Sequence, residues 1–183
     1  MTVDYRRATP EDSAFIKEVV GHSSVRRNNP DARLFCRLLD SYMAGENRRH
    51  GLSHTHFLVT RNGLAVGHIA EYLPDRETRA GQVCYLGFDV HPDYWGQGIM
   101  KAALRRYIDD GLDEHRFDQL ISECLTTNLR CRRLLEGLGF EPRGVGLADQ
   151  LWNMWRYKGF SPKARYGYTR EPWSSDSGQK PSG

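Results

Sequence analysis

No stretch of this 183-residue chain contains the run of about 18 apolar residues that a membrane-spanning helix requires. Met1 to Pro10 is polar and lacks an apolar signal core. Cysteine is sparse, and Cys36, Cys84, Cys124 and Cys131 show none of the paired spacings of a zinc site. Three of the four sit inside apolar patterns, where reduced, buried thiols belong. The expectation is a cytoplasmic protein with neither a disulfide framework nor a metal. Lysine is scarce as well, 5 residues against 21 arginines. Those arginines bring the net charge only to +3, too little to demand a nucleic acid. They cluster between Arg26 and Arg49 and between Arg130 and Arg143. Such clusters read either as solvated surface or as attraction to an anionic cofactor or partner.

The most informative stretch runs from Val83 to Met100. Cys84, Leu86, Phe88 and Val90 alternate with Tyr85, Gly87 and Asp89. Apolar residues at both sets of positions predict a central strand buried on both faces. Pro92 has no N–H to give the ladder and ends it. A loop with Gly96 and Gly98 follows, and a helix is predicted from Trp95 to about Leu112, with Ile99, Ala103, Leu104, Tyr107, Ile108 and Leu112 on its apolar face. Strand, glycine loop and helix N-terminus together form an anion-binding geometry, because free N–H groups and the helix dipole point at the ligand. The loop is not a P-loop, since no Gly-Lys-Ser/Thr follows. Nor is it a dinucleotide fingerprint, since position 101 is Lys.

The wording His91-Pro-Asp-Tyr-Trp-Gly-Gln-Gly-Ile-Met100 resembles the acyl-CoA pyrophosphate loop of the GNAT (Gcn5-related) N-acetyltransferases, closest to the branch that acetylates ribosomal-protein N-termini. A second motif follows in order, Asn128-Leu129-Arg130-Cys131 and then Leu135-Glu136-Gly137-Leu138-Gly139-Phe140, where that branch writes Asn-x-x-Ser and Leu-Glu-Lys-Leu-Gly-Phe. The resemblance covers residues 3–158 in architecture and 83–141 in motif detail. It implies an α/β (α+β) GNAT fold: a mixed central sheet of about six to seven strands, a splayed and bulged central strand pair, and about four flanking helices. It also implies acetyl-CoA as co-substrate and a primary amine, on a protein, peptide or small molecule, as acceptor.

Along the chain, Val3 to Ala8 reads as a strand, and Thr9-Pro10-Glu11-Asp12 starts a helix bearing Phe15, Ile16, Val19 and Val20. A second helix opens at Asp31, with Leu34, Phe35, Leu38, Leu39, Tyr42 and Met43 at helical spacing. His54 to Thr60 and Leu64 to Leu73 form a hairpin through Asn62-Gly63, with Gly67 weakening the return strand or marking a close approach. His54 and His56 share a face but lack a third metal ligand, and His68 reads as a strand residue with a satisfied hydrogen bond. Phe117 to Leu125 is the next strand. Asn128 opens a helix with Cys131, Leu134, Leu135 and Leu138 in its stripe, closed by Gly139. Glu141 to Gly146 and Gln150 to Tyr157 read as a final antiparallel pair, whose exposed aromatics offer a homodimer surface. Residues 1–160 are thus assigned to one domain and 161–183, rich in Ser, Gly and Pro, to a flexible tail. Tyr166, Tyr168 and Trp173 are unusual for a linker and offer a docking alternative.

Transferred residue by residue, the resemblance puts Trp95, Gly96, Gln97, Gly98, Ile99 and Met100 around the pyrophosphate. Phe88 and Val90 offer backbone to the pantetheine arm, and Asn128 contacts that arm. Met100 stands where the family usually has Gly or Ala. Glu123 falls where the branch places a catalytic Glu and is the preferred base; Asp89 is an alternative, and Tyr85 stands where many relatives keep a Glu. Cys131 stands for the branch's Ser and is either a proton donor to the departing thiolate or simple packing; an acyl-Cys131 intermediate is a lesser reading. Leu135 occupies the position of the Tyr acid common elsewhere. The readings are an acyl-CoA-dependent N-acetyltransferase, a GNAT-fold binding module with weak or no catalysis, and a nucleic-acid binder whose affinity would fall steeply with salt.

Overall fold

A computed structural model describes residues 2–45, 51–74, 81–144 and 163–169. They form β1 (Val3–Arg7), α1 (Ser13–Gly21), α2 (Ser23–Arg26), α3 (Ala32–Met43), β2 (Leu52–Arg61), β3 (Leu64–Pro74), β4 (Val83–Val90), α4 (Ile99–Asp113), β5 (Gln119–Leu125), α5 (Leu129–Glu136), β6 (Glu141–Arg143) and β7 (Lys163–Thr169). The seven strands make one mixed sheet in the order β1-β2-β3-β4-β5-β7-β6. Five helices are seen where about four were expected, because His22 extends out of α1 and its side chain caps the short α2.

The alternation of β4 decides how the sheet is covered. Cys84, Leu86 and Val90 join a core with Ile99, Leu104, Tyr107 and Ile108 of α4 and Leu135 of α5. The opposite face lies under α1 and α3, where Ile16, Val20, Leu39 and Leu58 form a second cluster with Phe35 packed on it. Behind the first core, buried Glu71 accepts hydrogen bonds from the Tyr107 hydroxyl at 2.5 Å and from Arg116 at 2.9 Å.

β4 and β5 run parallel and pair only from Val83–Tyr85 to Gln119–Ile121, and then the strands part. At the parting point the Ser122 hydroxyl donates to the Leu86 carbonyl at 3.0 Å. On its other side β4 stays paired to β3 through Gly67↔Val90. The register shift lies between β2 and β3 at Val59/Thr60, not on the central strand as the resemblance implied. Gly67 is a close-approach glycine: a Cβ there would stand 2.8 Å from the Asp89 carbonyl oxygen and 3.0 Å from a Val90 methyl.

One expectation at the C-terminal end is corrected. Residues 163–169 are not tail but the seventh strand, paired with β5 from Gln119↔Thr169 to Leu125↔Lys163. β6 takes β7 as its partner, through Glu141↔Gly167 to Arg143↔Arg165. The physical reason is burial: Tyr166 is 1% exposed, its hydroxyl donates to Glu136 and accepts from Arg132, and Tyr168 packs on Phe140. The expected strand Gln150 to Tyr157, and the tail beyond Thr169, lie outside the described residues.

Candidate active site

The parting of β4 and β5 opens a cavity of about 740 Å³ that reaches from the glycine loop to the start of α3. One wall is the backbone of β4. The His91 N–H bonds the Val66 carbonyl at 2.9 Å. Antiparallel alternation then assigns the backbone groups of Asp89 and Gly87 to β3 and turns those of Phe88 and Val90 toward the gap. The Val90 carbonyl is already taken by the Trp95 indole N–H at 2.8 Å. The Phe88 groups and the Val90 N–H face the space where an extended arm can pair.

The loop forms because Gly96 and Gly98 adopt φ of 75° and 72°, a region that costs a side-chain-bearing residue. Gly98 caps α4, which begins at Ile99 and not at Trp95. Trp95, Gly96, Gly98, Ile99 and Met100 line the cavity. Gln97 does not: its side chain accepts from Arg61 at 2.6 Å and donates to the Asp93 carbonyl at 2.9 Å, bracing the loop from outside. Met100 is 7% exposed and packs in the core, so its bulk points away from the loop. Lys101, Arg130 and Arg133 line the same end, and the Arg130 guanidinium stacks 4.7 Å over Trp95. An anion here would meet N–H groups, a helix N-terminus and three cations.

Asn128 caps α5, its side-chain oxygen accepting from the Cys131 N–H at 3.2 Å. Cys131 lines the cavity from the first turn of α5, opposite Cys124 at the end of β5. The neighbouring Cys124 thiol, together with burial, pushes Cys131 well above the usual thiol range; the same interaction lowers Cys124, against the opposing effect of its burial.

The acceptor end is built from the other face of the sheet. Asp89 of β4, His68, Ala70 and Tyr72 of β3, Phe35 of α3 and Asp31 before it all line the cavity. Among the described residues no hydrogen-bond or ion-pair partner is found for the Asp89 carboxylate, and burial pushes its carboxyl up to about 6. Glu123 also reaches the cavity but is engaged: its Oε1 accepts from Arg165 at 2.8 Å, and its Oε2 lies 3.9 Å from the Lys163 ammonium. Lys163 in turn lies 3.5 Å from Asp31. Tyr85 lines the cavity as an exposed ring.

Sequence reasoning placed His54 and His56 on one face but missed that His68 joins them in a cluster beneath α3. His56 Nδ1 and His68 Nε2 are 3.0 Å apart, and Phe35 packs edge-on against His56 and tilted against His68. His54 stacks on Tyr42 at 4.1 Å. Burial lowers His56 to about 4 and holds His68 well below its ordinary value, so both are neutral near pH 7. His68 does have the hydrogen bond expected of it, but its Nδ1 has no partner among the described residues. No cluster of three or more His, Cys, Asp or Glu able to hold a metal is found among the described residues. The signal for the cluster was the spacing His54-x-His56 with His68 across the hairpin, which places all three on one face.

The Acetyltransferase (GNAT) domain family matches residues 3–141. An Aspergillus fumigatus protein, FsC-acetyl coenzyme A-N(2)-transacetylase, is 31% identical over 92 residues, which is 48% of this chain and 36% of that protein. The chain thus matches only about a third of that curated relative's length. Among solved structures, the ribosomal L7/L12 α-N-protein acetyltransferase RimL with coenzyme A superposes at TM-score 0.72, 13% identity, over 92% of this chain and 94% of that one. The aminoglycoside acetyltransferase AAC(6')-Ib with coenzyme A gives TM-score 0.69, 16% identity, over 92% and 95%. At these identities the structures speak for the fold. The family match covers most of the chain and both motifs of the cleft, and with it the chain belongs to the GNAT acetyltransferases, a family of acyl-CoA-dependent N-acetyltransferases.

Proposed function

We propose that this protein transfers an acetyl group from acetyl-CoA to a primary amine of a protein or peptide, directly and within a ternary complex. The observation that supports this best is the gap itself. The free backbone of Phe88 and Val90, the Gly96–Gly98 loop with Lys101, Arg130 and Arg133, and the carboxylate of Asp89 meet in one cavity. They match three parts of the co-substrate and acceptor chemistry: an amide-rich arm, an anionic pyrophosphate and an ammonium that must lose a proton.

In this reading the Val90 N–H points at the thioester carbonyl and stabilises its developing negative charge. Amines are largely protonated at pH 7, so a base is needed. Asp89 is assigned that role in preference to Glu123. Its carboxyl stands near 6, and no cation holds it among the described residues, whereas Glu123 is engaged by Arg165 and Lys163. Glu123 then shapes the charge of the acceptor wall. Cys131 stays protonated and faces the departing sulfur as a hydrogen-bond donor; a thiol held so far from ionisation is not the nucleophile of an acyl intermediate. Asn128 fixes α5 against the arm. The setting is proposed to be cytoplasmic.

A small-molecule amine is the second reading, favoured by the 31% match to the fungal N(2)-transacetylase. Thiol release from acetyl-CoA, measured with N-terminal peptides and with small amines in parallel, tests both. Release with peptides alone supports the first reading, and release with small amines alone supports the second. Release with neither contradicts the proposal.

A further inference from the structure

The acceptor end of the cavity already contains an amine, and it belongs to the chain. Lys163 begins β7 opposite Leu125 of β5, so the two side chains share the face that looks toward α3. Its arm turns back across β5 toward the cavity. Adjacent strands lie about 4.8 Å apart, which four methylenes span. The Lys163 ammonium lines the cavity, 3.5 Å from Asp31 and 3.9 Å from Glu123. Its side chain is 18% exposed. The carboxylate beside it stands at the position where the resemblance places a catalytic base.

We propose that Lys163 is a self-acetylation site, modified in cis by the acetyl-CoA bound in the gap. The inference rests on the reading that acetyl-CoA lies between β4 and β5. In the step, the Lys163 ammonium gives a proton to Glu123, and its nitrogen lone pair attacks the thioester carbonyl. A C–N bond forms, the C–S bond breaks and coenzyme A leaves as a thiolate; the second proton shed by the nitrogen goes to that thiolate, and Glu123 returns the first to solvent. Nothing beyond acetyl-CoA is consumed. The product is a neutral amide that no longer neutralises Asp31 and Glu123. The acceptor wall becomes more acidic, and cationic acceptors gain from modification.

The test is incubation of the full chain with acetyl-CoA, followed by intact mass and peptide mapping. The expected result is one acetyl group on Lys163, at a rate independent of protein concentration. Labelling of Lys163 exceeds that of Lys17 by about tenfold or more, as positioning in the cavity predicts. K163R keeps the positive charge beside Asp31 and Glu123 and removes the acceptor, so the mass shift disappears while the fold remains. Calorimetry with acetyl-CoA runs alongside. Binding without a mark on Lys163 overturns this inference and leaves the proposed function standing. Equal labelling of Lys17 and Lys163, in folded and heat-unfolded protein alike, also overturns it. Absence of acetyl-CoA binding overturns the proposed function together with the inference.

Discussion

The indole N–H of Trp95 donates to the carbonyl oxygen of Val90 at 2.8 Å. This bond ties the glycine loop to the last residue of the central strand. It also occupies the one Val90 group that an acyl-CoA arm does not need, leaving the N–H for the thioester carbonyl. Trp95→Phe keeps the ring beneath Arg130 and removes the bond. Loss of one such hydrogen bond costs about 1 kcal/mol, so the thermal midpoint falls by about 2–4 °C, and the untied loop binds acetyl-CoA more weakly by calorimetry.

Asp89 gives the reaction an acid limb. With its carboxyl near 6, the base is ionised above that pH and protonated below it. The pH profile of kcat/KM therefore falls as pH drops through about 6. In D89N turnover falls by about 10²–10⁴-fold, the range for loss of a general base, while acetyl-CoA still binds. E123Q loses less, because Glu123 is already held by Arg165 and Lys163. An E123Q loss equal to that of D89N would return the base to Glu123.

The histidine cluster makes the fold acid-sensitive. The folded value of His56 is about 4, below its ordinary 6.5, and His68 moves the same way. Between those values the unfolded chain binds more protons, so stability rises with pH and is lost as pH falls from 6.5 toward 4. For His56 the full loss is on the order of 3 kcal/mol. Asp89 has the opposite sign: its folded value is raised, so its burial penalty is relieved as pH falls through about 6. Thermal midpoints measured from pH 7 to pH 4.5 should therefore fall, and fall more steeply in D89N than in wild type.

Glu71 anchors the opposite side of the sheet. It is 3% exposed and bonded to Tyr107 and Arg116, whose guanidinium lies 5.1 Å over the Tyr107 ring. Glu71→Gln keeps the contact with Tyr107 and leaves the partly buried guanidinium paired with Glu114 alone, at 2.9 Å. Urea unfolding should show a loss of about 2–3 kcal/mol, below the range for a fully buried pair because Arg116 keeps some solvent contact.

The central strand and its loop were legible because several local rules agree there. Alternation over Val83–Val90, the missing donor at Pro92 and the glycines at 96 and 98 all mark the same geometry. Which carboxylate is free was not legible. The sequence favours Glu123 through the resemblance and leaves Asp89 as the alternative. They differ because Asp89 is buried with no cation beside it among the described residues, whereas β7 brings Arg165 and Lys163 to Glu123. That strand was hidden by its setting, a Ser-, Gly- and Pro-rich segment after residue 160. Its signal was the alternation of Ala164, Tyr166 and Tyr168, three apolar residues on one face in what otherwise read as linker. Met100 was legible as a departure from the family's loop but not as harmless; its side chain packs into the core from the first turn of α4, which explains the tolerance.

The most direct test of the account is calorimetric titration of the intact chain with acetyl-CoA, with Gly98→Glu as the control. A glutamate there must adopt a φ of 72° and places a negative charge at the proposed pyrophosphate site. Saturable one-to-one binding that disappears in the control is the predicted result. Absence of binding by the unsubstituted protein, or equal binding by Gly98→Glu, would contradict the gap between β4 and β5 as the acetyl-CoA site.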